Sequence, residues 1–358
     1  MHLRIKQNTN TPAYMQIYAA LRRKIVCGAF PHGSRMPSKR ELAHDCGVSI
    51  VTVEHAYQVL CDEGLCETRP RSGFYVRYTP ESSFPLSEQI PEAATTDTTN
   101  TYHLDALPFS AVASHLRKVL LDQGEQILQK SPNNGCIELR KAICRYLARS
   151  RSIEVTPEQI VIGSGAEYLY GICIQMLGRD KIIALENPSY PKIQAVYEAN
   201  GAICDPLKMD SEGIRPDALE RTQAHILHVT PFNSFPSHIT ASGERRRLYL
   251  NWAKERDAVI IEDDYDSEFS LTGTAPETLF ARSIEENVVY LNTFSKTIAP
   301  SLRVGYMILP KRLLEVYQKT VGFYSCTVPM LEQYFLAEWL DSGEFERTIS
   351  RMRNQKRD

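Results

Sequence analysis

Apolar residues along the chain fall into two rhythms, and the change between them divides the sequence. Over the first 78 residues they recur at helical spacing: Tyr14, Ile17, Tyr18, Leu21 and Ile25 share one face, opposite Arg22, Arg23 and Lys24. Thr11 is placed as the N-cap and Pro12 as the first residue of this helix, which Gly28 and the loop 31–33 end. Ser38-Lys39-Arg40-Glu41 spells a capping box and predicts a short helix to about Asp45. After a turn at Gly47, Ser49 caps a third helix in which Val53, Ala56, Tyr57 and Leu60 face inward, stopping at Gly64. Runs at 65–67 and 73–76 then predict two short strands around a basic tip, 69–72. Two helices joined by a short glycine-containing turn match the helix-turn-helix spacing, and the ribbon behind them makes a wing.

Residues 79–103 are polar, rich in threonine and without apolar periodicity, which predicts a flexible linker. From 104 onward short β-branched runs alternate with helical patterns. Helices are predicted at 110–123, 137–149, 166–176, 191–200 and 243–254, and strands at 159–162, 181–185, 203–207, 225–229, 258–262, 288–292 and 303–309. Such alternation predicts an α/β domain with a mostly parallel sheet, whose ligands gather at the carboxyl ends of the strands. The expected domains are thus 1–78, a linker 79–103, and 104–358.

Composition changes this picture in one respect. The chain has 358 residues, 43% hydrophobic and 23% charged, with no run long enough to span a bilayer. Its N-terminus lacks an apolar secretory core, and nine cysteines without CxxC pairs fit a reducing cytoplasm better than disulfides or a metal site. The net charge of −2 conceals a split: residues 1–78 hold 11 Lys+Arg against 6 Asp+Glu, a balance of 11 − 6 = +5, which leaves 30 − 37 = −7 for the rest. A basic head on an acidic body suits a polyanionic partner.

The candidate chemistry lies just after the predicted strands. Gly163-Ser164-Gly165-Ala166 opens a helix, where backbone N–H groups can meet a phosphate. Further clusters follow at 186–191, with Tyr190 as an aromatic face, at 230–236, and at 262–266, with Asp263 and Tyr265. Beyond the sixth strand Lys296 stands among Thr293, Ser295 and Thr297, with Arg303 seven residues later. An amine among small polar groups, followed by a cation, suits a cofactor held covalently and anchored by its phosphate. Ser-Lys-Thr alone fits a solvated loop better, because so short a match recurs by chance; the order of the clusters after successive strands favours pyridoxal phosphate. A buried carboxylate at Asp263 would keep a pyridine nitrogen protonated, Tyr265 would tune the phenolate side, and Tyr190 would stack on the ring.

The head, with I-x-x-G-x-F-x-x-G-S-R-M-P-S-K-R-E-L-A followed by G-V-S-x-x-T-V-x-x-A-Y-x-x-L-x-x-E-G, resembles a GntR-type winged helix-turn-helix. That resemblance implies DNA contacts from Ser38 and Arg40, from Ser49 and Thr52, and from Arg71, Ser72 and Gly73 in the wing. Position 50, often arginine in that family, is Ile50 here. The body, including the stretch PNNGCIELR at 132–140, resembles a fold type I, aspartate aminotransferase-like domain. Joined, the two resemble the MocR subfamily of GntR regulators.

By that resemblance Lys296 is the Schiff-base lysine, Asp263 the pyridinium partner, Tyr265 the phenolate neighbour and Tyr190 the stacking ring. Arg303 and the turn Ser164, Gly165 and Ala166 take the phosphate, with Thr293 and Ser295 beside the lysine. Phe235-Pro236-Ser237-His238 replaces the N-P-x-G turn of the enzymes, and His238 stands for a glycine; whether Asn233 substitutes for the missing asparagine stays open. The relatives continue past Asp358 into a small αβ domain that carries a substrate-carboxylate arginine. A form lacking that domain is expected, with its final helix (Arg347, Arg351, Arg353, Lys356 and Arg357) deprived of a packing partner.

The expected function is a cytoplasmic, homodimeric transcription regulator that binds double-stranded DNA. Its body would sense pyridoxal phosphate, or an amine or amino acid joined to it, with Lys296 as an anchor rather than a catalytic base. Two alternatives stay open: a working aminotransferase with an appended head, and a DNA-binding protein whose degenerate body serves dimerisation.

Overall fold

The computed structural model describes residues 11–70, 72–79, 107–269, 277–284 and 286–355, in two units, Met1–Thr98 and Thr99–Asp358. The linker call lies outside the described residues, Thr79 excepted.

In the first unit α1 (Ala13–Val26), α2 (Lys39–Cys46) and α3 (Ile50–Asp62) precede an antiparallel ribbon, β1 (Cys66–Arg69) and β2 (Gly73–Val76), paired Cys66↔Val76 to Arg69↔Gly73. Ile17, Leu21 and Ile25 of α1 meet Leu42, Val53, Ala56, Tyr57 and Leu60 in one core, each such aliphatic side chain contributing about 1.5–3 kcal/mol on burial. Both later helices begin as the sequence indicates. Ser38 Oγ accepts the Glu41 N–H (3.2 Å) and Ser49 Oγ accepts that of Thr52 (3.1 Å), while Gly47 ends α2 in the left-handed region at φ 64°. The start of α1 differs from expectation. Pro12, at φ −54° and ψ 147°, is itself the cap residue, and no side chain caps the helix. Proline has its fixed φ in the extended region as readily as in the helix, so Thr11 is left outside.

The second unit is a three-layer α/β domain. Its helices are α4 (Phe109–Gln123), α5 (Ile137–Arg151), α6 (Ala166–Leu177), α7 (Pro191–Ala199), α8 (Pro216–Arg221), α9 (Gly243–Glu255), α10 (Leu279–Arg282), α11 (Leu314–Thr320), α12 (Met330–Asp341) and α13 (Glu344–Gln355). Its strands are β3 (Ile160–Gly163), β4 (Ile182–Asn187), β5 (Ile203–Asp210), β6 (Gly213–Ile214), β7 (Ile226–Val229), β8 (Val259–Asp263), β9 (Val288–Thr293) and β10 (Gly305–Ile308), in the order β3-β10-β9-β8-β7-β4-β5-β6. Strands β5, β4, β7, β8 and β9 are parallel neighbours; β10 runs antiparallel to both β9 and β3, so those two point the same way.

Strands β3, β7, β8, β9 and β10 are buried on both faces because helices cover both, whereas β5 exposes Ile203, Pro206 and Lys208. Ile183, Ile261, Val289, Leu291 and Met307 pack toward α6, α7 and α11. Ala184, Leu227, Ile260 and Val288 face α8, α9 and α10, while Tyr290, Tyr306 and Ile308 meet α4, α5, α12 and α13. The expected isolation of the last helix is not observed. On α13, Phe345, Ile349 and Met352 are buried in the body core, Phe345 lies edge-on to Tyr146 and Phe294, and Arg353 Nε donates to the Glu268 carbonyl (2.6 Å). Arg347 and Arg351 both bind Glu344, at 2.9 and 3.2 Å; Lys356 and Arg357 lie outside the described residues. Among the described residues no helix is long and apolar enough to cross a membrane, and no group of His, Cys, Asp and Glu could hold a metal.

Candidate functional site

Three strand ends and the loop 294–304 build the candidate site. Strand β9 ends at Thr293 and β10 begins at Gly305, and these two residues pair with each other while Gly305 also pairs with Gly163, the end of β3. Because β10 is reversed, its first residue lies beside the carboxyl ends of its neighbours. The loop is closed at its base by Phe294 N–H to the Val304 carbonyl (2.8 Å), and the Thr293 hydroxyl lies 3.1 Å from both that carbonyl and Ser295 Oγ. Ser295 N–H in turn donates to Thr293 Oγ1 (3.2 Å). Thr293 and Ser295 therefore shape the loop that carries Lys296.

Lys296 is half-buried and its Nζ is 2.5 Å from Asp266 Oδ1. The same ammonium sits 4.6 Å from the centre of the Tyr265 ring, within cation–π range. Asp266, itself buried, is held on its other oxygen by Asn233 Nδ2, and the Tyr265 hydroxyl donates to the Asn233 carbonyl (2.9 Å). Asn233 stands at φ 52°, a left-handed position that asparagine tolerates, and its Oδ1 meets His238 Nδ1 at 3.0 Å. His238, at φ 57°, adopts the backbone for which a glycine is usual. Asn233 thus works on Asp266 and His238. Phe235 links this cluster to Tyr190, with ring centres at 6.0 Å from His238 and 6.1 Å from Tyr190, which is 37% exposed.

Asp263 ends β8, buried, one residue before the Asp264 N–H that donates to the Leu291 carbonyl (2.9 Å). It accepts a hydrogen bond from Tyr170 on α6. Burial raises its carboxyl to about 7, against the Tyr170 hydrogen bond, which favours the ionised form. His228 Nε2 approaches to 3.9 Å, but burial holds that imidazole down at about 3, so it is neutral and the contact is no ion pair. Its Nδ1 lies 2.6 Å from the Tyr197 hydroxyl. A second buried carboxyl, Glu186 at the end of β4, accepts from Ser234 Oγ (2.6 Å) and is raised by burial to about 8.

Gly165 is the N-cap of α6 at φ 91°, and among the described residues no side-chain cap meets the first amides of that helix. A Cβ there would lie 3.5 Å from Arg303 Nη2, in the space shared by those amides and the guanidinium. Arg303 itself stands at φ 46° and makes a 3.4 Å ion pair with Glu167, which also binds Lys192 at 3.0 Å. Ser164 N–H donates to Thr327 Oγ1 (3.1 Å), and Ala166 is the first helical residue. The structure thus gathers Lys296, Tyr265, Asp266 and Asn233 in one cluster, and Arg303 and Gly165 in another beside it through Gly305.

These residues fit pyridoxal phosphate. An uncapped helix start beside a guanidinium suits a dianionic phosphate. The buried Asp263, with affinity for a proton near neutrality, suits a pyridine N–H, and Lys296 supplies the amine. Asp266, Tyr170 and His228 were not assigned from sequence. Asp266 lay inside the acidic cluster already noted; Tyr170 and His228 sit in patterns that read simply as core.

In the first unit Arg40 is exposed on α2, and Ser38, Ser49 and Thr52 stand at the starts of α2 and α3, with Ser49 Oγ 2.8 Å from Thr52 Oγ1. Ser72 Oγ lies 2.7 Å from the Tyr75 hydroxyl, and Gly73 opens β2 at φ 117° near Arg35. Arg71 lies outside the described residues.

Residues 98–357 match the family of class I and II aminotransferases, and residues 13–76 match the bacterial regulatory proteins of the gntR family. The uncharacterized HTH-type transcriptional regulator YdeL of Bacillus subtilis is 33% identical over 98% of this chain and 78% of its own length. The probable rhizopine catabolism regulatory protein MocR of Rhizobium meliloti is 28% identical over 98% of this chain and 76% of its own. Among solved structures, the α-aminoadipate aminotransferase LysN of Thermus thermophilus, complexed with N-(5'-phosphopyridoxyl)-L-leucine, shares the fold at a TM-score of 0.61 and 26% identity. This match covers 70% of the present chain, which spans 64% of the LysN chain.

Proposed function

The chain belongs to the MocR-type regulators, a gntR-family head joined to an aminotransferase class I and II body, and from that premise we propose that its body holds pyridoxal phosphate to control DNA binding by its head. The observation that carries this reading is the juxtaposition of Lys296 with Tyr265 and Asp266 next to the Arg303 and Gly165 cradle. When bound, pyridoxal phosphate supplies an electrophilic aldehyde carbon and a ring that withdraws electrons. The chain's own residues do the rest. Arg303 and the α6 amides would take the phosphate, Asp263 would hold a proton at the ring nitrogen, Tyr190 would cover the ring, and Tyr265 would face its phenolate side. Lys296 would supply the amine for covalent attachment once it has parted from Asp266 and lost a proton, with water as the leaving group.

DNA contacts come from Ser38, Arg40, Ser49, Thr52, Ser72 and Gly73, with Arg71 in the wing tip. We assign the domains as 1–78, a linker 79–103, and 104–358, the functional form as a cytoplasmic homodimer, and the sensed molecule as the cofactor or an amine or amino acid joined to it. Asn233, turned toward Asp266 and His238 rather than left open, favours a sensing site over a working aminotransferase.

The test is an absorbance titration with pyridoxal phosphate on wild-type protein and Lys296→Ala. A new band at the visible edge is expected in the wild type and not in the variant. An unchanged wild-type spectrum, or a variant that keeps the band, would overturn the assignment.

A further inference from the structure

The first turn of α3 carries two exposed β-branched aliphatics, Ile50 at 45% and Val51 at 73% exposure. Nothing in the packing of the head's described residues accounts for them: the buried residues of this helix are Val53, Ala56, Tyr57 and Leu60. Helical propensity disfavours β-branched residues, and the positive end of a helix dipole favours acidic ones, yet the first turn of α3 holds no acid. The remaining outward groups on α3 are occupied. Glu54 pairs with Lys39 at 2.5 Å, His55 stacks on Tyr14 with ring centres 4.0 Å apart, and Gln58 donates to Asp62 at 3.3 Å. What this helix can offer to a groove is therefore concentrated at its start, in Ile50, Val51 and the Ser49 and Thr52 hydroxyls.

We propose that Ile50 and Val51 read the C5 methyl groups of thymine in the major groove, so that the bound half-site carries thymine opposite the first turn of α3. The proposal rests on the DNA-binding reading of the head. A recognition helix presents its N-terminal residues to base edges, and of the four bases only thymine offers a methyl group there. Ile50 and Val51 have no donor or acceptor on their side chains, so apolar contact is the sole base readout open to them. The +5 balance of residues 1–78 brings this apolar pair to a polyanion that an apolar patch alone would not attract.

Duplexes are selected from a random pool with the full chain, and each selected thymine is replaced singly by deoxyuracil, which lacks only the methyl. One or two positions are expected to lose about fourfold in affinity for each methyl removed. Ile50→Ala or Val51→Ala should abolish that sensitivity at one position each; both substitutions replace β-branched residues by a better helix former, and circular dichroism checks the fold. Ile50→Arg should shift the selected base toward guanine. A wild type indifferent to deoxyuracil at every position, or alanine variants as sensitive as the wild type, would overturn the proposal while leaving DNA binding intact. A pool that yields no bound duplex would overturn both readings.

Discussion

At the scale of single residues, Asp266 governs the availability of Lys296. The ammonium must part from a carboxylate 2.5 Å away and give up a proton before the resulting amine lone pair can attack a carbonyl carbon. Because Lys296 is partly exposed, the pair is discounted to about 1 kcal/mol, so Asp266→Asn is expected to speed capture of pyridoxal phosphate roughly fivefold in stopped-flow absorbance. A slower or unchanged rate would show that Asp266 helps the attack instead.

Glu186 gives a pH signature. Its folded carboxyl, raised by burial to about 8 from the ordinary 4.5, binds a proton more tightly than the unfolded chain does. Its contribution to stability is full below pH 4.5 and is lost as pH rises toward 8. Glu186→Gln cannot titrate, so its melting temperature relative to wild type should climb across that interval, by several degrees for a term on the order of 2 kcal/mol. A pH-independent difference would mean that Glu186 does not titrate in the folded protein. At this scale the residues legible in the sequence were those whose type is chemically unusual for their place, such as Lys296 in a small polar loop. Tyr170 and His228 were not, because an aromatic on α6 and a histidine in β7 announce burial, and only the folded sheet brings them to Asp263.

At the scale of elements, the alternation of strands and helices was readable because most strands are short apolar runs, β-branched in β3, β7, β8 and β9, and most helices have their own period. Several elements escaped, α8, α10, α11 and β6 among them, and three further features did so for a physical reason. Helix α12 buries Met330, Gln333, Tyr334, Phe335, Leu336, Ala337, Trp339 and Leu340, nearly all round, so it has no polar face to reveal its period. The direction of β10 is not encoded in its apolar run, since a buried strand reads alike both ways. The packing of α13 depends on Tyr146 and Phe294, about 200 and 50 residues earlier by rough count. The Pro132 to Arg140 motif also acquires a reason. Gly135, at φ 96°, faces Ile162 so closely that a Cβ would overlap its side chain. Gly135→Ala should cost roughly 2–4 kcal/mol through strain and overpacking, read as an earlier unfolding midpoint in denaturant. A midpoint within error of wild type would show that β3 yields easily.

At the scale of the whole molecule, the division of charge was legible in the sequence, +5 for residues 1–78 against −7 for the rest. It predicts DNA affinity that falls steeply with salt. Arg40→Ala should weaken binding to all duplexes alike and reduce the salt slope by about 1, as the loss of one phosphate contact requires. A slope equal to wild type would remove Arg40 from the interface. How the body's ligand reaches the head was not legible, because that depends on the arrangement of two separately folded units, and no local pattern encodes it.

The pairing of Thr293 with Gly305 has a consequence for how this protein can change over generations. The lysine loop departs and returns at a single clasp while Thr297 and Ile298 are buried in the body, so exchange of an exposed loop side chain leaves the sheet register alone, whereas adding or removing a residue would unseat that packing. The exposed side chains of the loop and the fold of the body are to that extent separable. The ring is free to lose its reactivity, or tune it, while the body keeps its shape, which is a route by which an enzyme scaffold passes into the service of a regulator.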